Sequence, residues 1–119
     1  MEIIKPVAKV FLTTNVEKHG EPFCGPGVIQ LLDAIAASGN VRKACAEIGL
    51  SYSKAWKLLR VAEECAGFPL IERRQGGSHG GSASVTEKGA AFSRAYHEFA
   101  DRSQSAAEQI FRELFASFL

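Results

Sequence analysis

The sequence predicts a mainly α-helical domain with small β hairpins: three short helices, a hairpin, then one long C-terminal helix. Three observations lead there. Apolar residues recur at helical spacing in blocks between Val28 and Ala66, and the blocks are punctuated by Gly39, Gly49 and Gly67. Two short strand-like runs flank a glycine-rich segment, RRQGGSHGGS, at residues 73–82. From Thr86 to Leu119 there is no proline and the only glycine is Gly89.

The chain of 119 residues is the size of one domain, large enough for a real core. Hydrophobic residues at 46% and charged residues at 23% exclude a disordered or fibrous chain. No apolar run approaches the roughly 20 residues of a membrane span, and the start Met1-Glu2-Ile3-Ile4-Lys5 lacks the pattern of a signal peptide. A soluble, cytoplasmic protein is expected. Cys24, Cys45 and Cys65 cannot all pair within one chain and have no spacing that suits zinc, so they read as small, mostly buried thiols. No metal or other cofactor is expected.

Residues 7–14 (VAKVFLTT) are β-branched and aromatic, Glu17-Lys18-His19-Gly20 reads as a turn, and Pro22-Phe23-Cys24 as a return strand. An N-terminal hairpin is expected. After Gly25-Pro26-Gly27, the spacing of Val28, Leu31, Leu32, Ile35 and Ala36 predicts the first helix, ending at Gly39. Asn40 caps a second, running to about Ile48 and stopping at Gly49. Ser51 caps a third, at about 51–66, with Ala55, Leu58, Leu59, Ala62 and Ala66 along one stripe. Residues 70–74 (LIERR) and Ala83-Ser84-Val85 make the two strands of a hairpin, and Thr86 caps the last helix. That helix carries Phe92, Tyr96, Phe99, Ala106, Ile110 and Leu114 in one row and Ala107, Phe111, Phe115 and Phe118 in another. So small a domain has little room to bury both rows, which points to a partner helix from a second copy; a fold back onto its own domain is the alternative.

Between Val41 and Leu58 the run VRKACAEIGLSYSKAWKL meets the steric needs of a helix-turn-helix. Cys45 is small where the helices cross, Gly49 sits at the sharp turn, and Ala44, Ile48, Leu50, Ala55 and Leu58 fall on inward positions. Charge agrees. Net charge is only +1, but residues 40–75 hold seven bases (Arg42, Lys43, Lys54, Lys57, Arg60, Arg73, Arg74) against four acids, while each flank has one more acid than bases. In such a motif the second helix enters the major groove of B-DNA by its N-terminal end, which carries Ser51, Tyr52, Ser53, Lys54 and Lys57, with Arg60 a turn further on. Arg42 and Lys43 open the preceding helix, whose positive dipole end favours phosphate. Trp56 reads either as filling the junction with the C-terminal helix or as stacking on sugar or base, the first being preferred.

The glycine segment is not a nucleotide cradle, because Gly80-Gly81-Ser82 lacks the lysine such a loop needs and leads into a strand rather than a helix. His19, His79 and His97 lie far apart, with no carboxylate or cysteine at a spacing that suggests a metal site or a triad. An enzyme is not expected.

The order helix, helix, helix, hairpin, helix is that of a winged helix-turn-helix, here with a long C-terminal dimerisation helix. Over residues 8–100 the chain resembles the N-terminal DNA-binding domain of the molybdate-responsive ModE regulators, relatives of the LysR-type group. The likeness rests on the start of the recognition helix (Ser51, Tyr52, Ala55, Trp56) and on the glycine-rich wing leading into Val85, Thr86 and Gly89. It implies a dimeric transcription regulator with residues 1–86 as the DNA-binding domain, including the N-terminal hairpin, and residues 87–119 as the dimerisation helix of the same unit. The wing, residues 75–82, would lie on the backbone or in the minor groove, with Arg73, Arg74, Gln75 and Ser78 supplying donors. Dimer contacts would come from Phe92, Tyr96, Phe99, Ile110, Phe111, Leu114, Phe115 and Phe118. Family members carry molybdate-binding domains after the long helix, whereas this chain ends at Leu119, so a stand-alone form without molybdate binding is expected. In the wing, Ser78-His79 interrupts a glycine run that is nearly continuous in the family. A protein-interaction module that keeps this fold without binding DNA is the alternative function.

Overall fold

The computed structural model describes residues 3–14, 22–74 and 82–119. Its elements follow in the order α1 (Pro26–Ser38), α2 (Val41–Ile48), α3 (Tyr52–Ala66), β1 (Ile71–Arg73), β2 (Ala83–Val85) and α4 (Glu87–Phe115), with a 3-10 turn at Ala116–Phe118. This is the winged helix-turn-helix order. Helix α1 begins two residues before Val28, because Pro26 at the first helical position brings a helix-ready φ and lacks only an N–H that would have no intrahelical partner.

Short polar caps and one left-handed glycine set the turn between α2 and α3. The Asn40 side chain accepts a hydrogen bond from the Lys43 N–H (3.0 Å), and Ser51 does the same for Lys54 (3.2 Å). Between them Gly49 sits at φ 71°, so that its N–H and that of Leu50 both reach the Cys45 carbonyl. A side chain there would strain the backbone whatever the space around it.

Helices α1 to α3 enclose the core: Leu31, Leu32, Ile35, Val41, Ala44, Ala55, Leu59 and Ala62 are fully buried. Leu58, Ala66, Ile48 and Leu50, expected inside, are half-buried at the margin. Strands β1 and β2 pair antiparallel, Ile71 opposite Val85 and Arg73 opposite Ala83. A further bridge joins Ser82 to Asn40, and the Ala83 N–H reaches the Gly39 carbonyl (3.1 Å), so the hairpin is anchored to the α1–α2 turn.

The hairpin base is fixed to α3 and α4 by a compact set of bonds. Glu63 of α3 accepts from the N–H groups of Leu70 (2.8 Å) and Ile71 (3.3 Å). The Leu70 carbonyl accepts from the Thr86 N–H (2.9 Å), and the Thr86 hydroxyl donates to the Pro69 carbonyl (2.8 Å). The same Thr86 oxygen accepts from the Gly89 N–H (2.8 Å), capping α4. A Cβ on Gly89 would lie 2.5 Å from the Leu70 carbonyl oxygen, which explains the Thr-x-x-Gly pattern at this point in the chain.

Of the expected N-terminal hairpin, the described residues show one antiparallel bridge between Leu12 and Cys24, with the Leu12 N–H on the Cys24 carbonyl (2.7 Å) and the Phe23 N–H on the Leu12 carbonyl (2.9 Å); the turn at 17–20 lies outside the described residues. The preceding backbone is used otherwise. Gln104 of α4 accepts from the Ala8 N–H (2.8 Å) and donates to the Pro6 carbonyl (2.9 Å), while the Tyr96 hydroxyl donates to the Val10 carbonyl (2.6 Å). Burial, and then the nearby Cys24 thiol, push the Tyr96 phenol above its ordinary range.

Helix α4 reaches well beyond the core. The radius of gyration is 17.4 Å, against about 13.5 Å for a compact chain of this length. Among the described residues no helix is long and apolar enough to cross a membrane.

Two outcomes test this packing. Gly89→Ala must push against backbone rather than a flexible side chain, and is expected to cost about 1–3 kcal/mol in a urea titration, as overpacking does. Cys24 is buried and its thiol is pushed up to about 11, so at pH 8 only about one molecule in a thousand carries the reactive thiolate. Burial also raises Cys45. Iodoacetamide at pH 8 is expected to label half-buried Cys65 in the native protein, and Cys24 and Cys45 only after unfolding, as read by peptide mass spectrometry.

Candidate nucleic-acid interface

The N-terminal ends of α2 and α3 place their polar residues on the outside. Arg42 and Lys43 are exposed at the start of α2; Ser51, Ser53, Lys54, Lys57 and Arg60 are exposed on α3. The oxygen of Ser51 is engaged as the helix cap, which leaves its hydroxyl hydrogen to donate elsewhere. Lys54 and Lys57 also border an open cleft of about 590 Å³ beside α3, shared with Pro22, Phe23, Leu58 and Val61.

Tyr52 and Trp56 are four residues apart on α3 and half-buried, their rings edge to face at 6.0 Å and 87°. Each carries a guanidinium group on its face: Arg42 from α2 lies 4.1 Å from the Tyr52 ring centre, and Arg73 from β1 lies 4.0 Å from that of Trp56. Trp56, expected at the junction with the C-terminal helix, is half-buried against the core and carries Arg73 of the hairpin base on its face. Its packing partner from β1 lies 17 residues away and left no local pattern in the sequence.

Arg73 and Arg74 are exposed at the end of β1, and the Arg74 N–H reaches the Ser82 carbonyl (3.1 Å) across the hairpin. Gln75 and Ser78, with the rest of the expected wing tip, lie outside the described residues, of which this segment keeps only Ser82. The described contacts between basic and acidic side chains, His97 with Asp33 (2.7 Å) and Arg102 with Glu98 (3.9 Å), are both on the α1–α4 side. Among the described residues none of the seven cations between Arg42 and Arg74 has a carboxylate partner. Among the described residues the face therefore presents basic side chains without close carboxylate partners, beside two helix N-termini.

The two apolar rows of α4 divide. Of the residues expected at a dimer contact, Phe92 is half-buried and packs edge to face on Phe68 (5.9 Å), and Tyr96 is buried with its hydroxyl on the Val10 carbonyl. The first turns of α4 lie against the core, and these two side chains fill it. Further out, Phe99, Ile110, Leu114, Phe115 and Phe118 are 45–72% exposed, and Phe111 stacks on Phe115 at 4.8 Å.

Sequence reasoning missed the contacts that hold this arrangement. Asp33 of α1 accepts from the Ser93 hydroxyl (2.8 Å) and pairs with His97, tying α1 to α4, although 64 residues separate Asp33 from His97. Of the aromatic platform, only the four-residue Tyr52–Trp56 spacing was visible. Among the described residues no group of three His, Cys, Asp or Glu side chains is placed to hold a metal.

Residues 27–90 match the model of a family described as bacterial regulatory helix-turn-helix protein, lysR family. Over 77 residues the chain is 40% identical to the molybdenum-pterin-binding protein MopA of Rhodobacter capsulatus, a match covering 65% of this chain and 29% of MopA. Over 99 residues it is 31% identical to the DNA-binding transcriptional dual regulator ModE of Escherichia coli K12, covering 83% of this chain and 37% of ModE. The chain thus spans about a third of the length of these curated relatives. Among solved structures, the CbnR DNA-binding domain in its DNA complex aligns with a TM-score of 0.57 at 23% identity, over 77% of this chain and all of that one. That likeness supports the fold.

Proposed function

Because the chain belongs to the lysR family of bacterial regulatory helix-turn-helix proteins, we propose that it is a sequence-specific, DNA-binding transcription regulator that acts in the cytoplasm as a homodimer. The family is one of regulators, not enzymes. The observation that carries the reading is the basic face, without close carboxylate partners among the described residues, formed by the starts of α2 and α3 and the hairpin base. A phosphate backbone is the natural partner of such a face, and α3 has the size and polarity for the major groove. Ser51, Tyr52, Ser53, Lys54 and Lys57 would meet base edges or nearby phosphates, with Arg60 beyond them. Arg42 and Lys43 would meet the backbone on one side, and Arg73 and Arg74, with Gln75 and Ser78 of the wing, on the other. DNA and a second copy of the chain are the partners in this reading.

The dimer contact is assigned to the outer part of α4, through Phe99, Ile110, Phe111, Leu114, Phe115 and Phe118. These residues form a long apolar stripe beyond the core, a surface that a monomer rarely leaves open. A two-fold pair would read an inverted repeat with half-sites about one or two helical turns apart.

Fluorescence polarisation with mixed genomic duplexes is expected to show binding that weakens steeply between low and physiological salt. Lys54→Ala should weaken it about three- to tenfold and lower the salt slope by about one. Absence of duplex binding at low salt would instead favour the protein-interaction module. Sedimentation at micromolar concentration is expected to give a dimer, and Leu114→Asp a folded monomer with weaker DNA binding; a monomeric wild type would contradict the pairing.

A further inference from the structure

The chain Arg42–Tyr52–Trp56–Arg73 draws one residue from α2, two from α3 and one from β1, and it lies within the basic face. Each arginine could have packed against a carboxylate, yet among the described residues neither guanidinium has a hydrogen bond or an ion pair. Each rests on a ring instead. The difference matters because a carboxylate would occupy the N–H edge of a guanidinium, whereas an aromatic face engages its plane and leaves the five N–H donors free. A ring platform therefore reduces the freedom of the side chain without using the groups that bind an oxyanion.

We infer that Tyr52 and Trp56 are positioning residues, whose ring faces hold Arg42 and Arg73 with their N–H edges open to backbone phosphates of a duplex. The inference rests on the DNA-binding reading and refines it on α3: the lysines and serines meet the nucleic acid, while Tyr52 moves from direct contact to holding Arg42, and Trp56 acts likewise through Arg73. The rings stand at 87°, so the cations lie over faces that point in different directions and serve two separate phosphates. Because Arg73 comes from the hairpin base, its contact with Trp56 also fixes how the wing is set relative to the recognition helix.

Trp56 is the only tryptophan in the chain, so its emission reports the platform directly in the free protein. Arg73→Ala is expected to shift that emission, and Lys88→Ala, which removes a similar cation from Phe68 (4.4 Å), to leave it unchanged. A spectrum insensitive to Arg73→Ala would overturn the contact. A binding cycle then uses a labelled mixed-sequence duplex at low salt. Trp56→Leu should weaken binding about three- to fivefold, the scale of a lost cation–π contact, and Trp56→Phe should restore it to within about twofold. Arg73→Ala should cost about tenfold, and the double variant no more than Arg73→Ala alone, because the tryptophan has nothing left to position. Effects that simply multiply would overturn the inference while leaving the DNA reading intact; a wild-type chain that binds no duplex would overturn both. Should Trp56→Leu fail to fold by circular dichroism, the same cycle on Tyr52→Leu and Arg42→Ala reads the same coupling.

Discussion

The carbonyl oxygen of Leu70 is the point on which the architecture turns. It accepts from Thr86 and lies so close to Gly89 that nothing larger than hydrogen fits between them. Thr86 completes the junction by bonding to Pro69 and capping α4, while Glu63 secures Leu70 and Ile71 from the side of α3. Three elements distant in sequence are thereby held within a few ångströms of one another. The recognition helix, the base of the wing and the long helix consequently share a single reference frame, and strands of three residues each can hold their place beside much larger helices.

That rigidity suits an interface whose energy is electrostatic. Long basic side chains on a loose scaffold would lose much of their phosphate attraction to the entropy of ordering. Here the caps at Asn40 and Ser51 fix where α2 and α3 begin, and the aromatic pair on α3 ties in two of the arginines. The opposite side carries the His97–Asp33 contact and the Ser93–Asp33 bond that join α1 to α4, so the polar contacts that fasten the long helix lie apart from the basic face.

Much of the helical frame was legible because its signals are local. Asn40, Ser51 and Thr86 each cap a helix with their own side chain, and Gly39, Gly49 and Gly67 each end one in a left-handed conformation that no other residue type adopts as cheaply. Residues whose role depends on a distant partner were not legible. Trp56 needed Arg73, Asp33 needed His97, and Phe92 and Tyr96 could be told apart from Phe99 only by knowing where the core ends along α4. Residues 7–14 were expected to pair with Pro22-Phe23-Cys24, and Leu12 does pair with Cys24, but the backbone around Val7 is satisfied by α4, because a sequence pattern specifies a conformation and not the group that satisfies each peptide.

What does satisfy it is a side chain. The Pro6 carbonyl and the Ala8 N–H flank Val7 and are taken by the two ends of one Gln104 carboxamide. A parallel β neighbour would offer the N–H and the C=O of one residue to the same two atoms. Gln104 thus imitates a single residue of a neighbouring strand, and because its carboxamide has one donating and one accepting end, the pairing has a direction. Glutamate at this position would keep the acceptor and lose the donor, so the difference of one atom decides whether this stretch of backbone has both its groups satisfied on a helix.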